Sequence, residues 1–441
     1  MVAAAAVLQL IASAVGVAVV RDRTAPPPPA VATTPSSPAV LAAPAPDPRV
    51  QRERAVRALL DQRAAAVLRR DREAFLATVL PSATAFVERQ AAMFDALAEV
   101  PLASWEYELD AGQQSAVNDV LDTRHGTEGW WSPDVLLRYA IEGFDPEPTY
   151  APQRLTFAKA GDDWLLAGDD DFDAMDERST RGLWDFGPVV AHRSERALVL
   201  GHPGSRELLP QIGEVVDAAV PDVDAVWQAP WSRAVVVLVP QDDTELDRML
   251  NGSTDLSRIA AVATAELPDL GDGFHPVGDR IIVNPPNFAK LGRLGRQVVL
   301  THEVTHVATR RATGPDTPTW LVEGLADYVG YLDTGVPTET AARELRAAVR
   351  AGQVPAELPG DTEFDGGNAD IAQAYEASWL AYRLLVETYG AEAALRFYRA
   401  VGSSRGAGSA AAVETAFAAE LGTTTAVFTE AWRGYLVSTL S

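Results

Sequence analysis

Apolar positions recur at helical spacing in two stretches of the chain. Side chains three and four residues apart share one face of a helix, so this spacing predicts an α-helix that packs against a core. The first stretch runs to Pro81 and the second covers residues 205–220. The apolar positions are Val56, Leu59, Leu60, Val67, Leu68, Phe75, Leu76 and Val79 in the first, and Leu208, Leu209, Ile212, Val215, Val216 and Val220 in the second.

Strand-like patterns follow the first helical stretch and lie on both sides of the second. Alternating apolar positions predict half-buried strands, and short continuous apolar runs predict fully buried ones. The alternating set is Trp105, Tyr107 and Leu109, then Val135, Leu137, Tyr139 and Ile141, then Leu155 and Phe157, then Trp164 and Leu166. The turn at residues 161–163 predicts that the last two strands form a hairpin. Residues 197–200, 234–239 and 280–284 are the continuous runs.

The order of these elements predicts an α+β fold with two globular domains, at residues 51–180 and 188–441. The first, with long helices before an antiparallel sheet, resembles the NTF2-like (cystatin-type) fold. An acidic run at residues 169–176 lacks the spacing of a calcium loop and is interpreted as a solvated acidic linker.

An uncharged apolar run at residues 2–20 precedes both domains. Its length fits a membrane span of roughly 20 residues better than a signal-peptide core, although cleavage and secretion remain the alternative. Residues 21–50 form a Pro-rich linker. Arg21 and Arg23 after the span favour a cytoplasmic location, whereas the long Pro-rich tether favours an extracytoplasmic catalytic domain, which is our expectation.

The composition of the chain excludes several classes of partner and of site chemistry. The chain carries a net charge of -24, which repels a phosphate backbone, so we expect no nucleic-acid partner. It contains no cysteine, which excludes disulfides, thiolate metal ligands and cysteine nucleophiles.

Residues 302–306 read His-Glu-Val-Thr-His, an H-E-x-x-H pattern inside a predicted helix that starts near Arg296. Residues four apart are neighbours on one helix face, so the imidazoles of His302 and His306 can reach one metal ion. Glu303 lies one step around the helix, where it can hydrogen-bond a water molecule on that metal. The pattern predicts a metal site with Glu303 as the general base.

A second short helix is predicted at residues 320–328, Trp-Leu-Val-Glu-Gly-Leu-Ala-Asp-Tyr. A catalytic zinc site requires three protein ligands and one open position, and Glu323 would complete the set with His302 and His306. Asp327, one turn after Glu323, can accept the free N–H of a ligand histidine and fix its tautomer.

H-E-x-x-H followed by E-x-x-x-D resembles the gluzincin signature of thermolysin-like and M1-type metallopeptidases, and residues 320–328 resemble the broader peptidase MA group. The resemblance covers most of residues 190–441. It implies a mixed sheet, an active-site helix, a C-terminal helical lobe and a zinc ion. It also implies that the strand at residues 280–284 is the sheet edge along which a peptide lies.

Two departures qualify the resemblance. The interval between His306 and Glu323, residues 307–322, is shorter than in M1 and thermolysin-like enzymes. The G-x-M-E-N motif that grips a free amino terminus in M1 aminopeptidases is absent, which favours endopeptidase action. By resemblance, Tyr375 is the candidate donor to the oxyanion, with a packing role as the alternative and Tyr328 and Tyr331 as lesser candidates.

The sequence therefore predicts a zinc-dependent peptidase, acting on a peptide or protein substrate, in which Glu303 activates water. Two alternatives remain open. The chain could be a membrane-anchored binding or scaffold protein with a catalytically silent zinc site. The NTF2-like domain could instead bind a small molecule and hold the main activity, with the zinc domain accessory. A G-x-S-x-G match at residues 402–406 follows a predicted helix and is no nucleophile elbow.

Overall fold

The computed structural model of the chain describes residues 47–114, 118–126, 128–250, 252, 260–267 and 275–441. These residues form a mixed α/β protein with a five-stranded mixed sheet and two three-stranded antiparallel sheets. The predicted anchor at residues 1–20 and residues 21–46 of the predicted linker lie outside the described residues. Within the described ranges, no helix is long and apolar enough to cross a membrane.

The first part of the described chain combines four helices with six strands. The helices are α1 (Pro48–Leu68), α2 (Arg72–Leu76), α3 (Thr84–Ala96) and α4 (Asp119–His125). The strands are β1 (Leu102–Gln114), β2 (Trp130–Trp131), β3 (Pro133–Ile141), β4 (Thr149–Arg154), β5 (Thr156–Ala160) and β6 (Asp163–Gly168).

The helix predicted up to Pro81 is divided in two. The backbone of Arg70 adopts a positive φ of 57°, which ends α1, and the side chain of Asp71 then caps α2 by accepting from the backbone N–H of Ala74. The apolar spacing continues across this turn, so the pattern alone did not reveal it. The predicted linker also extends too far, because α1 begins at Pro48.

The predicted strands of the first part are confirmed. They form one sheet in the order β1-β3-β4 and another in the order β2-β5-β6. Strands β5 and β6 form the predicted hairpin, with Lys159 opposite Trp164, and Gly161 supplies the positive φ of 66° at the turn. Helix α1 packs on β1 and β6, so its apolar face covers the sheets.

The second part contributes five strands and eleven helices to the described chain. The strands are β7 (Val190–Arg193), β8 (Ala197–Gly201), β9 (Val235–Val239), β10 (Ala261–Glu266) and β11 (Val277–Val283). The helices are α5 (Leu208–Trp227), α6 (Asp243–Met249), α7 (Pro285–Phe288), α8 (Arg293–Thr309), α9 (Thr319–Tyr331), α10 (Thr338–Ala341), α11 (Arg343–Arg350), α12 (Ile371–Tyr389), α13 (Ala391–Gly402), α14 (Ser409–Ala416) and α15 (Thr425–Leu440).

The sheet of the second part has the strand order β10-β11-β9-β8-β7. Its central pairs, β8 with β9 and β9 with β11, are parallel, and the outer pairs are antiparallel. Every residue of β8 and β9 is buried, as expected for strands covered on both faces. The expectation that residues 280–284 form the sheet edge is wrong, because β10 pairs outside β11.

Helices α8 and α9 pack in the second part, close to this sheet and against each other. Helix α8 contacts α5 and β10, helix α9 lies between α8 and α12, and helices α11–α15 form the remaining helical part. Residues 298–309 of α8 are all buried, so this helix lies in the centre of the second part.

The two parts share one hydrophobic core and a buried ion pair. Arg280 on β11 donates to both carboxylate oxygens of Asp145, at 2.7 and 2.6 Å, and both side chains are almost fully buried. A second, more exposed cluster joins Glu147 to Arg311 and His275. The first part is therefore held against the second near the start of β11 and the end of α8.

Candidate metal centre

The two histidines of the H-E-x-x-H pattern lie on α8, as predicted. His302 and His306 are buried one turn apart, with ring centroids 4.6 Å from each other. Buried ionisable groups are costly unless they are paired or bind a metal. A fully buried stretch of helix that carries two histidines and Glu303 therefore requires partners within the core.

Glu323 and Asp327 reach the histidines from α9. The two helices pack together, and α9 approaches α12 closely at Gly324, where a Cβ atom would lie only 2.5 Å from the carbonyl oxygen of Ser378. The predicted packing residues Trp320 and Leu321 are buried, as is Leu325. This packing fixes the position of the Glu323 carboxylate relative to helix α8.

Three side-chain atoms converge at the contact between α8 and α9. The Nε2 atoms of His302 and His306 are 2.9 Å apart, and Oε2 of Glu323 lies 3.1 Å from the first and 3.3 Å from the second. Within the described residues, these three side chains form the group of possible ligands that could hold a metal ion.

The donor set fits a zinc ion. Zinc binds imidazole nitrogen and carboxylate oxygen at roughly 2.0–2.1 Å, and two ligand atoms on a tetrahedral ion are then about 3.3 Å apart. The separations of 2.9, 3.1 and 3.3 Å approach that value without a side-chain rotation. Two nitrogens and one oxygen also leave one position open, as a catalytic site requires.

Asp327 orients one of the predicted ligands. Its Oδ1 lies 2.7 Å from Nδ1 of His302. A carboxylate there accepts the Nδ1 proton and leaves Nε2, the atom that points at Glu323, free to bind a metal. The predicted contact between Asp327 and one of the two histidines is therefore present in the structure.

Charges among these side chains shift their pKa values strongly. Burial lowers the pKa of His302, but the Asp327 carboxylate outweighs it and raises that pKa to about 10. Burial raises the pKa of Glu323, but His306 and His302 reverse the effect and bring it to about 2. Burial keeps the pKa of His306 below its usual range. A metal ion bound here would take the place of a proton on His302, because ligand histidines must be neutral.

Glu303 is fully buried, and neither of its carboxylate oxygens has a hydrogen-bond partner among the described residues. Burial raises its pKa to about 8, although the positive His302 opposes this shift. The backbone of Ala263 on β10 comes close enough to lower that pKa slightly, without completing a hydrogen bond. A buried carboxylate with two free oxygens is the arrangement expected of a group that holds a water molecule.

Tyr375 on α12 interacts electrostatically with this group of side chains. Its hydroxyl is buried and has no hydrogen-bond partner in the described chain. Burial raises its pKa well above the usual range, and Glu323, Asp327 and Glu303 add to the shift, so the phenol stays protonated and lies near the centre. The ring is held edge-on by Phe364, with the centroids 5.2 Å apart.

The lesser candidates occupy other surroundings. Tyr328 packs against Tyr382, and Tyr331 packs against Trp379 on α12. Burial raises the pKa of Tyr331, and Asp327 is the one group of the centre that contributes. Of the three tyrosines, Tyr375 is the one whose hydroxyl is both buried without a partner and close to Glu303 and Glu323.

Arg310 and strand β10 were missed in the sequence. Arg310 follows α8 immediately, donates to the backbone oxygen of Ala263 at 2.8 Å and to Asp279 at 3.1 Å. Arg310 therefore connects the edge strand β10 to the end of helix α8. Its position four residues after His306, on the same helix face, was the available signal.

No protein-family model matches this chain, and no curated protein matches it either. The case for a function therefore depends on the geometry of the centre itself.

Proposed function

We propose that this chain is a zinc-dependent peptidase in which His302, His306 and Glu323 hold the metal and Glu303 is the general base. The observation that carries the proposal is the convergence of three buried ligand atoms within 3.3 Å of one another. The buried Glu303 carboxylate and the buried Tyr375 phenol have no hydrogen-bond partners among the described residues, and Glu323 acts electrostatically on both.

In this proposal the second part of the chain is a gluzincin-like domain of the peptidase MA type, and the first part is an NTF2-like domain. The mixed sheet, the central helix α8 and the helices after α9 agree with the first assignment. Helices packed across antiparallel strands agree with the second.

The reaction adds water across a peptide C–N bond. Zinc, when bound, acts as a Lewis acid and lowers the pKa of a water molecule toward neutrality. Glu303 would take the proton of the attacking water at its carboxylate while the water oxygen adds to the carbonyl carbon. The Tyr375 hydroxyl donates a hydrogen bond to the oxyanion that develops. Glu303 then delivers its proton to the amine nitrogen as the C–N bond breaks.

A protein segment is the substrate we favour, with cleavage at internal bonds. Strand β10 is the edge of the sheet beside Glu303, so an extended peptide could add to it through backbone hydrogen bonds. The sequence lacks a motif that grips a free amino terminus, which supports endopeptidase action. Because the metal-site side chains are buried, the peptide must displace part of the surroundings to reach them.

The proposed function can be tested by removing the metal with a chelator and then adding zinc back. Casein, an unstructured substrate, should be cleaved by the full chain, cleavage should stop with a chelator, and zinc should restore it. A chain that binds zinc but cleaves no casein under any of these conditions would support the scaffold alternative. Cleavage that persists after metal removal would contradict the proposal.

A further inference from the structure

A cavity of about 50 Å³ lies inside the first part of the chain, between its helices and its sheets. Residues from α1, α3, β1, β3, β4 and β6 line it, together with residues 180–182, 184 and 185, which follow the acidic run. None of its lining residues belongs to α8, α9 or α12, so it is separate from the metal centre.

One wall of the cavity contains a buried arginine that lacks an acidic partner. Arg63 is 3% exposed, and among the described residues no carboxylate lies within ion-pair distance of it. Its three hydrogen bonds go to neutral groups, to Gln90, to Thr78 at 3.2 Å and to Tyr107 at 3.3 Å. Asp185 interacts electrostatically with Arg63 but forms no ion pair with it. A buried guanidinium without a directly bonded counter-ion is costly, which makes an anion in the cavity favourable.

Neighbouring side chains hold Arg63 in place, and some of its N–H donors remain available to a ligand. The ring of Phe75 lies 3.8 Å from its guanidinium carbon, and the Gln90 amide is oriented by its contact with Asp169. A guanidinium has more N–H donors than these three bonds to neutral groups use. The Tyr107 hydroxyl accepts from Arg63 and Trp105, so its own proton is also available to a ligand.

The expected solvated linker at residues 169–176 is wrong in part, because Asp169 belongs to this wall. It is buried and pairs with Arg181 at 2.6 Å and with Arg89 at 3.1 Å. Burial raises its pKa, but the arginines outweigh that effect and hold the pKa below its usual range. Because Asp169 is occupied by these two cations, it does not neutralise Arg63.

Asp185 is the other acid at the cavity. The backbone N–H of Gly182 donates to its Oδ2 at 2.7 Å. Burial raises its pKa to about 6; Arg181 and Arg63 oppose this shift, and Asp169 adds to it. When protonated, this carboxyl can donate a hydrogen bond to an anion instead of repelling it.

Three of the lining residues are aromatic. Trp105, Tyr139 and Trp184 pack against one another with ring centroids 5.3 to 5.8 Å apart. The cavity therefore offers both hydrogen-bond donors and an apolar surface, as small-molecule sites do. Since a water molecule occupies roughly 10–15 Å³ on this kind of measure, the volume suits about three to five non-hydrogen atoms.

We propose that this cavity is a binding site for a small monocarboxylate, such as acetate, whose carboxylate pairs with Arg63 and whose apolar end contacts Trp105 and Trp184. The ligand efficiency of very small molecules limits the Kd to no tighter than about 40 µM. This site is independent of the proposed peptidase activity.

Acetate binding to the full chain is measured by saturation-transfer NMR on the acetate methyl group, up to about 50 mM, because this method detects weak ligands in the range that small size allows. Sodium chloride at equal ionic strength is the reference. Acetamide is the neutral analogue of the same shape, and benzoate is an anion too large for the cavity. We expect a saturable signal from acetate and none from acetamide or benzoate.

Four variants locate the binding site. Arg63→Met should weaken acetate binding at least about tenfold, because it removes the cation and keeps the bulk. Arg63→Lys should retain part of the affinity, which covers the case that the methionine variant fails to fold. Arg72→Met is the matched control, because Arg72 pairs with Asp95 on the exposed surface and should leave binding unchanged. The wild type should lose affinity as the pH rises above about 6, and Asp185→Asn should remove this dependence.

Three results would overturn the proposal. These are acetamide binding as tightly as acetate, a folded Arg63→Met variant with undiminished binding, and no saturable signal from the wild type. Acetate bound at the metal centre would persist in the Arg63 variants, so that outcome also counts against the cavity.

Discussion

The Tyr375 hydroxyl shows how a single residue can be assigned from its surroundings. A buried hydroxyl without a hydrogen-bond partner is unfavourable for folding alone. Tyr375 has this property beside Glu303 and Glu323, where an oxyanion would form in the proposed reaction.

Tyr375→Phe should lower kcat for casein cleavage by about 10²-fold while leaving zinc content and KM nearly unchanged, because it removes one donor to the transition state. Tyr382→Phe is the matched control. Tyr382 lies on the same helix, is equally buried and has a hydroxyl without a partner in the described chain, yet it packs against Tyr328 away from Glu303. Equal kcat values for the two variants would mean that Tyr375 has only a packing role.

The ligand atoms converge only if helices α8 and α9 pack at a fixed distance from each other. Gly324 sets that separation from the other side, since it lets α9 lie against α12. Glu323 is its immediate neighbour, so a displacement of α9 moves a metal ligand.

Gly324→Ala should therefore reduce both the stability and the zinc affinity. The added Cβ would lie 2.5 Å from the Ser378 carbonyl oxygen, and overpacking of this kind costs about 1–3 kcal/mol. Gly434→Ala on α15 is the control. No atom lies within 4 Å of a Cβ there, so alanine should stabilise the helix by roughly 0.5–1 kcal/mol. Urea unfolding and zinc titration measure both effects, and a Gly324 variant that matches the Gly434 variant would contradict the packing argument.

Most elements near the centre could be predicted from the sequence, because they are local. Helices α8 and α9 combine helical spacing with ligand spacing, and both signals lie within a few residues of His302 and Glu323. Strand β10 could not be found this way. Its sequence, Ala-Val-Ala-Thr-Ala-Glu, consists mostly of small residues, and its place outside β11 depends on pairing between strands rather than on a local pattern.

At the scale of the whole molecule, the contact between the two parts was not predictable either. Asp145 and Arg280 are far apart in the sequence, and neither belongs to a motif. Their pairing in the interior joins the first part to the sheet that carries the metal helix. Removing one member of a buried pair leaves the other charge uncompensated.

Asp145→Asn should destabilise the protein by about 3–5 kcal/mol for this reason. Glu147→Gln serves as the comparison, because the Glu147 side chain is 44% exposed and its ion pairs are worth at most about 1 kcal/mol. Denaturant unfolding of both variants gives the difference. Similar stabilities would mean that the Asp145–Arg280 pair does not hold the two parts together.

The comparison of Glu303→Gln with the wild type tests the central claim most directly. Glu303 is not a metal ligand in this account, so both proteins should contain about one zinc ion per chain. The variant should cleave casein at least about 10²-fold more slowly, because it lacks the general base. Equal zinc content with equal cleavage would contradict the assignment of Glu303 and, with it, the proposed peptidase mechanism.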